Sequence, residues 1–296
     1  MRRAALIVNP YSTRVTRERL AAVEQALRER VEVRTELTRA PGHATELAAA
    51  AARDCDGVVV FSGDGTYNEA INGVDGALPI GFVPGGGTSV VPRALGLPRD
   101  AVAAAASVGD ALAHGRTRRI SLGAVNGRRF CFSAGIGFDG EAVRRLNERG
   151  RGPGGARPSD LAFARAIAGM LVERRGRYEP QIEIDGHGPA AFVVVGNCDP
   201  YTYAGRLPLH VTPAARFELG LDFAAPVEVR PRDVVALVVG MVRGNGFGRR
   251  VLTGHDLDRV HVRCARPLPL QADGEDLGDV EDAVFEAIRD AVSVLV

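Results

Sequence analysis

Over residues 4–120, short β-branched apolar runs alternate with stretches of helical pattern. Ala5–Val8, Val31–Leu37, Gly57–Phe61 and Pro79–Val83 read as strands, and Thr16–Arg30, His43–Arg53 and the Ala-rich Asp100–His114 read as helices. Strand–helix alternation of this kind predicts an α/β domain with a parallel sheet and helices on both faces. From Thr117 the pattern tightens into closely spaced short strands with Gly and Pro turns, which predicts a mainly antiparallel β domain. Ser159–Arg175 and Arg232–Val242 read as helices within it, and the Gly-, Pro- and Arg-rich Arg149–Pro158 as a mobile loop. The expected domains are therefore 1–116 and 117–296, with 291–296 a strand that either half could pair.

Composition agrees with a folded chain of this size. At 296 residues two domains are expected, and 46% hydrophobic with 25% charged residues is ordinary for globular proteins. A net charge of +1 gives the whole chain no strong pull toward nucleic acid or anionic lipid, so any electrostatic targeting is local. Every basic residue is Arg, which removes Lys as base, Schiff-base former or phosphate-loop residue. The apolar run after Met1 ends at Asn9-Pro10, well below signal-peptide or membrane-span length, so a cytoplasmic protein is expected. Cys55, Cys131, Cys198 and Cys264 form no CxxC pair, and the six histidines show no metal-ligand spacing.

The stretch Val58-Val59-Val60-Phe61-Ser62-Gly63-Asp64-Gly65-Thr66-Tyr67-Asn68-Glu69 runs a buried strand into two glycines around an aspartate, with a helix after them. At the carboxyl end of a parallel strand, exposed amides and a helix N-terminus suit phosphate oxygens, and Asp64 suggests a bridging magnesium. Taken alone, Asp-Gly is also a common turn and Asp64 a helix cap. A second cluster, Pro84-Gly85-Gly86-Gly87-Thr88-Ser89, follows the next strand and also opens a helix.

Asn9-Pro10, Thr38 with Gly42-His43-Ala44, Ser62 to Glu69, the Pro84–Thr88 cluster and Arg93-Ala94-Leu95-Gly96 resemble the catalytic domain shared by diacylglycerol, sphingosine and ceramide kinases and their bacterial relatives. Gly135-Ile136-Gly137-Phe138-Asp139 and Gln271-Ala272-Asp273-Gly274-Glu275 resemble the same family in the same order. The resemblance implies an ATP- and magnesium-dependent kinase of a lipid hydroxyl, diacylglycerol or a related lipid alcohol, with a nucleotide cleft between the two domains. It implies ATP contacts from Asn9, Thr38, Gly63, Asp64, Gly65, Thr66, Asn68, Glu69, Gly86, Gly87 and Thr88, with Asp64 organising magnesium and phosphate. Glu275 takes the position of the family's general base. Without the resemblance, Asp273-Gly274-Glu275 reads as an exposed acidic hairpin.

Two departures from the family pattern stand out. Where relatives read PLGTxND, Gly87 stands at the Thr, Ser89 at the Asn and Val90 at the Asp, so a carboxylate near the reaction centre is gone. Leu219 replaces an Asp of the bacterial structural-magnesium motif, and no metal of that type is expected. A non-catalytic nucleotide or lipid binder is therefore the alternative from another class, and NAD kinase the second enzyme reading.

A lipid acceptor needs a membrane-facing surface. Residues 144–177 carry nine arginines against three acids, among Leu161, Phe163, Ile167, Met170 and Leu171. Arg149, Arg151 and Arg157 are the candidates for transient contact with an anionic membrane at its inner face, the alternative being a solvated loop before a core-packed helix. No nucleic-acid partner is expected, and homo-oligomerisation stays open.

Overall fold

The computed structural model describes residues 1–148, 160–248 and 250–296, leaving aside the side chains of 160–164. Arg149, Arg151, Arg157 and the Arg149–Pro158 loop lie outside the described residues. Among those described, 1–120 and 290–296 form one compact unit and 121–148 with 160–289 the other.

The first unit runs β1 (Arg3–Val8), α1 (Arg17–Arg28), β2 (Glu32–Leu37), α2 (His43–Ala51), β3 (Gly57–Ser62), α3 (Asp64–Gly73), β4 (Ile80–Pro84), α4 (Val90–Ala94) and α5 (Ala101–His114). Its strands lie in the order β2-β1-β3-β4, all parallel, with Ala5 facing Arg34 on one side and Val58 on the other. β1 and β3 are buried along nearly their whole length, as strands covered on both faces must be. The chain leaves β1 toward β2 and then returns past it to β3. Right-handed crossovers therefore put α1 on one face and α2 and α3 on the other. Capping fixes the helix starts: Thr16 Oγ1 accepts from Arg19 N at 3.2 Å and Asp100 Oδ1 from Ala103 N at 2.9 Å.

The second unit contains β5 (Thr117–Val125, which begins in the first unit), β6 (Arg128–Phe130), β7 (Ser133–Ile136), α6 (Phe138–Glu148), α7 (Asp160–Glu173), β8 (Ile182–Ile184), β9 (Gly188–Ala190) and β10 (Val193–Gly196). It continues through β11 (Thr202–Ala204), β12 (Leu207–Leu209), β13 (Leu221–Pro226), α8 (Val234–Arg243), β14 (Val251–Leu257), β15 (Arg259–Ala272) and β16 (Glu275–Leu295, whose last residues belong to the first unit). The order β14-β13-β10-β7-β15-β16 is antiparallel throughout. Its core gathers Phe130, Ile136, Val195, Phe223, Val262 and Phe285.

One feature departs from the sequence reading, and one left open by it is decided. Phe138–Glu148 is helical where only strands and turns were expected: Asp139, Gly140, Ala142 and Val143 face inward, and the polar run after them hides that stripe. The strand expected over 291–296 is the end of the 21-residue β16, and of the two halves it is the first that pairs it, Val294 running parallel to Ile80.

Candidate functional site

The first unit's chemistry gathers where the carboxyl ends of β1, β3 and β4 meet. β1 is the strand from which the chain departs in both directions, and ligands of open parallel sheets bind at such switch points. Ser62 closes β3, and its hydroxyl lies 2.7 Å from Ser12 Oγ and donates to Thr66 Oγ1 at 2.8 Å. Asn9 Nδ2 donates to Thr66 Oγ1 at 3.2 Å, so Asn9 and Thr66 share one network.

Gly63 and Gly86 explain the two glycine clusters. A Cβ on Gly86 would lie 2.7 Å from Gly63 Cα, and one on Gly63 would lie 3.2 Å from Gly86 Cα. The loops touch backbone to backbone, which any side chain at Gly86 would prevent. A Cβ on Gly87, by contrast, would meet nothing within 4 Å. Among the described residues the amides of Gly87 and Thr88 reach no acceptor, and the Gly65 amide at the start of α3 has none within its helix, whereas Thr66 N and Tyr67 N donate to Gly63 O at 3.0 and 3.2 Å. That leaves donors at two neighbouring strand ends.

Tyr67, whose role the sequence reading missed, locks this arrangement. Its fully buried hydroxyl lies 2.7 Å from Ser62 O and 2.8 Å from Val83 O, pinning α3 to the last turns of both strands. Burial first, then the nearby Asp64 charge, pushes the phenol well above its ordinary range, so it stays a neutral donor. Asp64 is 7% exposed and its Oδ1 accepts from Val91 N at 3.3 Å, tying α3 to α4.

Other predicted contacts sit deeper. Asn68 is buried inside α3, where its O and Oδ1 accept from Asn72 Nδ2 at 2.8 and 3.3 Å. Glu69 caps α2, its Oε2 accepting from Ala44 N at 3.3 Å. Thr38 is 7% exposed and lines, with Pro10, Tyr11, Arg39 and His43, a cavity of about 590 Å³ beyond the ends of β1 and β2. Val90 is buried at 2% exposure and offers no oxygen.

In the second unit, Asp273 and Gly274 (φ 49° and 78°) form the two-residue turn of the β15–β16 hairpin. Asp273 is not part of an exposed acidic tip. At 1% exposure its carboxylate accepts from Cys131 N (2.6 Å), Phe132 N (2.9 Å) and Ser133 N (3.2 Å). Gln271 Nε2 donates to Asp139 Oδ2 at 2.5 Å while its Oε1 accepts from Gly274 N at 2.9 Å. Asp139 also accepts from the Tyr201 hydroxyl, and burial pushes its carboxyl up against these two donors. The separated motifs 135–139 and 271–275 are thus one buried network. Glu275 emerges from it half-buried, ion-paired with Arg128.

Among the described arginines of 144–177, Arg144, Arg145 and Arg174 are engaged by carboxylates. Arg144 holds Asp276 (2.8 Å) and Asp279 (2.6 Å), and Arg145 holds Glu141 (2.6 Å) and Glu173 (2.7 Å). Arg174 joins Glu141 at 2.9 Å. They line a cavity of about 660 Å³ whose walls carry both signs of charge.

Residues 3–125 match the diacylglycerol kinase catalytic domain. The match covers both glycine loops and bears out the family resemblance read from the motifs. A diacylglycerol kinase of Bacillus subtilis (strain 168) is 39% identical over 143 residues, 46% of this chain and 46% of that protein. The chain spans about half the length of such curated relatives. Among solved structures, a diacylglycerol kinase of Bacillus anthracis str. Sterne superposes with a TM-score of 0.69 at 19% identity, covering 99% of this chain and 96% of that one. An NAD kinase of Archaeoglobus fulgidus, solved with ATP, gives a TM-score of 0.53 at 13% identity over 99% and 93%. At such identities the likeness is one of fold, in keeping with parallel strands and helices followed by antiparallel strands.

Proposed function

We propose that this chain is an ATP-dependent lipid kinase that transfers the γ-phosphate to the hydroxyl of diacylglycerol or a related lipid alcohol. The observation that carries the reading is the pair of touching glycine loops, whose Gly87 and Thr88 amides meet no acceptor among the described residues, inside the stretch that matches the diacylglycerol kinase catalytic domain. Amides so arranged receive phosphate oxygens, and Asn9, Thr66 and Thr38 border the same strand ends. Asp64 fits a magnesium ion carried in on ATP, because such an ion takes one or two carboxylates and completes its shell with phosphate and water. The ion would neutralise phosphate charge.

Phosphoryl transfer asks the protein mainly for positioning and charge neutralisation. In this reading Glu275 accepts the proton of the lipid hydroxyl as its oxygen bonds to the γ-phosphorus. The bond from that phosphorus to the β–γ bridging oxygen breaks, and ADP leaves. Arg128 holds the Glu275 carboxylate in one orientation, and the Asp273 and Gln271 network holds the turn beneath it. Residence in the cytoplasm, peripheral at the membrane, and a place in lipid metabolism follow from this reading; no helix among the described residues is long and apolar enough to cross a membrane.

A second reading, a nucleotide or lipid binder without turnover, is favoured by Val90, buried where the family pattern has Asp. Transfer of labelled γ-phosphate from ATP into a total lipid extract, with identification of the product, separates the two. A labelled lipid monophosphate supports the kinase. ATP binding with no lipid labelled, in magnesium or manganese, supports the binder, and labelled NADP from added NAD would move the reading to NAD kinase.

A further inference from the structure

Helix α8 is apolar on both of its faces. Val234, Leu237 and Met241 turn inward onto the cluster of Tyr178, Phe192, Val211 and Phe247. The opposite side carries Val235, Val238, Val239 and Val242, exposed at 70, 53, 39 and 38%. The spacing i, i+3, i+4, i+7 collects these four into one stripe. A helix facing water ordinarily places charged and polar groups there, and a helix apolar all round is ordinarily buried. β12 packs beside it, His210 N donating to Met241 O at 2.9 Å, and adds Leu207 at 45% exposure.

Charge identifies the occupant. Residues 228–250 hold five arginines, Arg230, Arg232, Arg243, Arg249 and Arg250, against Glu228 and Asp233, in a chain whose net charge is +1. The arginines precede and follow the valines and do not interrupt them. Arg232 is 70% exposed and only loosely paired, 3.8 Å from Asp233, while Arg230 and Arg250 share Glu228 at 2.7 and 2.9 Å, so two arginines divide one carboxylate and a positive excess is left. The valine stripe has no Trp or Tyr of the kind that anchors a protein interface in a shaped pocket. At 10 residues, α8 has about half the length needed to span a bilayer, so it can only lie in the interface. An apolar stripe bounded at each end by arginines suits the border between phosphate headgroups and acyl chains.

We propose that the outer face of α8, with Leu207, docks on an anionic lipid bilayer, the valines entering the acyl border and the flanking arginines meeting lipid phosphates. This deepens the lipid-kinase reading, on which it rests for its purpose, since an acceptor with long acyl chains stays in the bilayer. The face belongs wholly to the second unit and is distinct from the 144–177 arginines.

The test is cosedimentation of the full chain with vesicles of phosphatidylcholine alone and of phosphatidylcholine mixed with phosphatidylglycerol. Wild type is expected on the mixed vesicles, with V238D/V239D weakened by about tenfold or more. R232E/R243E, which leaves the valines in place, should lose the preference for phosphatidylglycerol. Circular dichroism and gel filtration should show both variants folded. Equal binding by V238D/V239D, no binding by wild type, or a wild-type dimer that V238D/V239D converts to monomers would each overturn docking; the last would make the face a contact between copies. Turnover of a short-chain, water-soluble diacylglycerol should be unchanged in both variants. Its absence from wild type would sink the kinase reading while the sedimentation result still decides the docking.

Discussion

The glycine loops of the first unit and the Gln271–Glu275 turn of the second reach defined shapes by opposite routes. Around Gly63 and Gly86 the shape depends on side chains that are missing, because the two backbones meet where a Cβ would stand. Around Asp273 it depends on side chains that are present and buried: one carboxylate holds three amides, and Gln271 joins Asp139 to Gly274. The first arrangement is enforced by exclusion and tolerates no added atom. The second is enforced by hydrogen bonds and tolerates no removed partner, because a buried donor left unmatched costs its full desolvation.

Removal should therefore have its largest effect at the second region. Asp273→Ala strands three buried amides, and hydrogen bonds to a charged group contribute about 1.5–3 kcal/mol each; because the three share one carboxylate their losses fall short of the simple sum, and urea denaturation should show a loss of about 3–6 kcal/mol. Asp273→Asn, which keeps one acceptor oxygen, should lose clearly less. Equal losses in the two variants would mean that the amide contacts are not what holds the turn.

Addition should act at the first region, and selectively. Gly86→Ala drives a Cβ to 2.7 Å from Gly63 Cα, and should destabilise by about 1–3 kcal/mol and weaken ATP binding, while Gly87→Ala, with open space around its Cβ, should leave stability unchanged. Thermal unfolding and ATP titration of the pair check this; matching behaviour would remove the loop contact as the reason for the glycines. Tyr67→Phe sharpens the contrast, since it removes a hydrogen bond from an otherwise steric site. A loss of about 1–2 kcal/mol in chemical denaturation is expected, and no loss would show that the strand ends do not need the hydroxyl.

The smallest effect is a pH dependence away from both regions. Hydrogen bonds to Asp282 and then to Asp185, each at 2.7 Å, raise the His261 pKa above its ordinary 6.5. The folded state thus binds this proton more tightly than the unfolded chain. The contribution is fully present below pH 6.5 and fades as pH climbs through the raised value, so Tm should drift down across that window. His261→Gln should flatten the drift, and an unchanged slope would assign it elsewhere.

What the sequence revealed follows the same division. Strand–helix alternation and the Gly63 and Gly86 clusters were legible because their signal is local: a buried run, a glycine, a helix start. Tyr67 looked like one more residue of a helix, since its hydrogen bonds go to strand ends that only the fold brings beside it. The Asp273 contacts and the Gln271–Asp139 bond join residues 132 to 142 positions apart, and no spacing rule links them. Asp273 accordingly read as surface charge, although three amides make its burial tolerable. Helix α6 was missed because its inward stripe is short and built around a buried carboxylate, a residue type that apolar periodicity passes over.

The central claim is that the buried network exists to hold Glu275 as the base of a lipid kinase, and one kinetic comparison tests it most directly. Wild type and Glu275→Gln are compared for kcat and KM toward a short-chain diacylglycerol at saturating magnesium and ATP. The variant keeps the side chain's size and loses its charge. The account predicts unchanged ATP and acceptor KM with kcat lower by about 100-fold or more, the usual scale for loss of a general base. Wild-type turnover by Glu275→Gln would contradict it, and would leave Glu275 as no more than the ion-pair partner of Arg128.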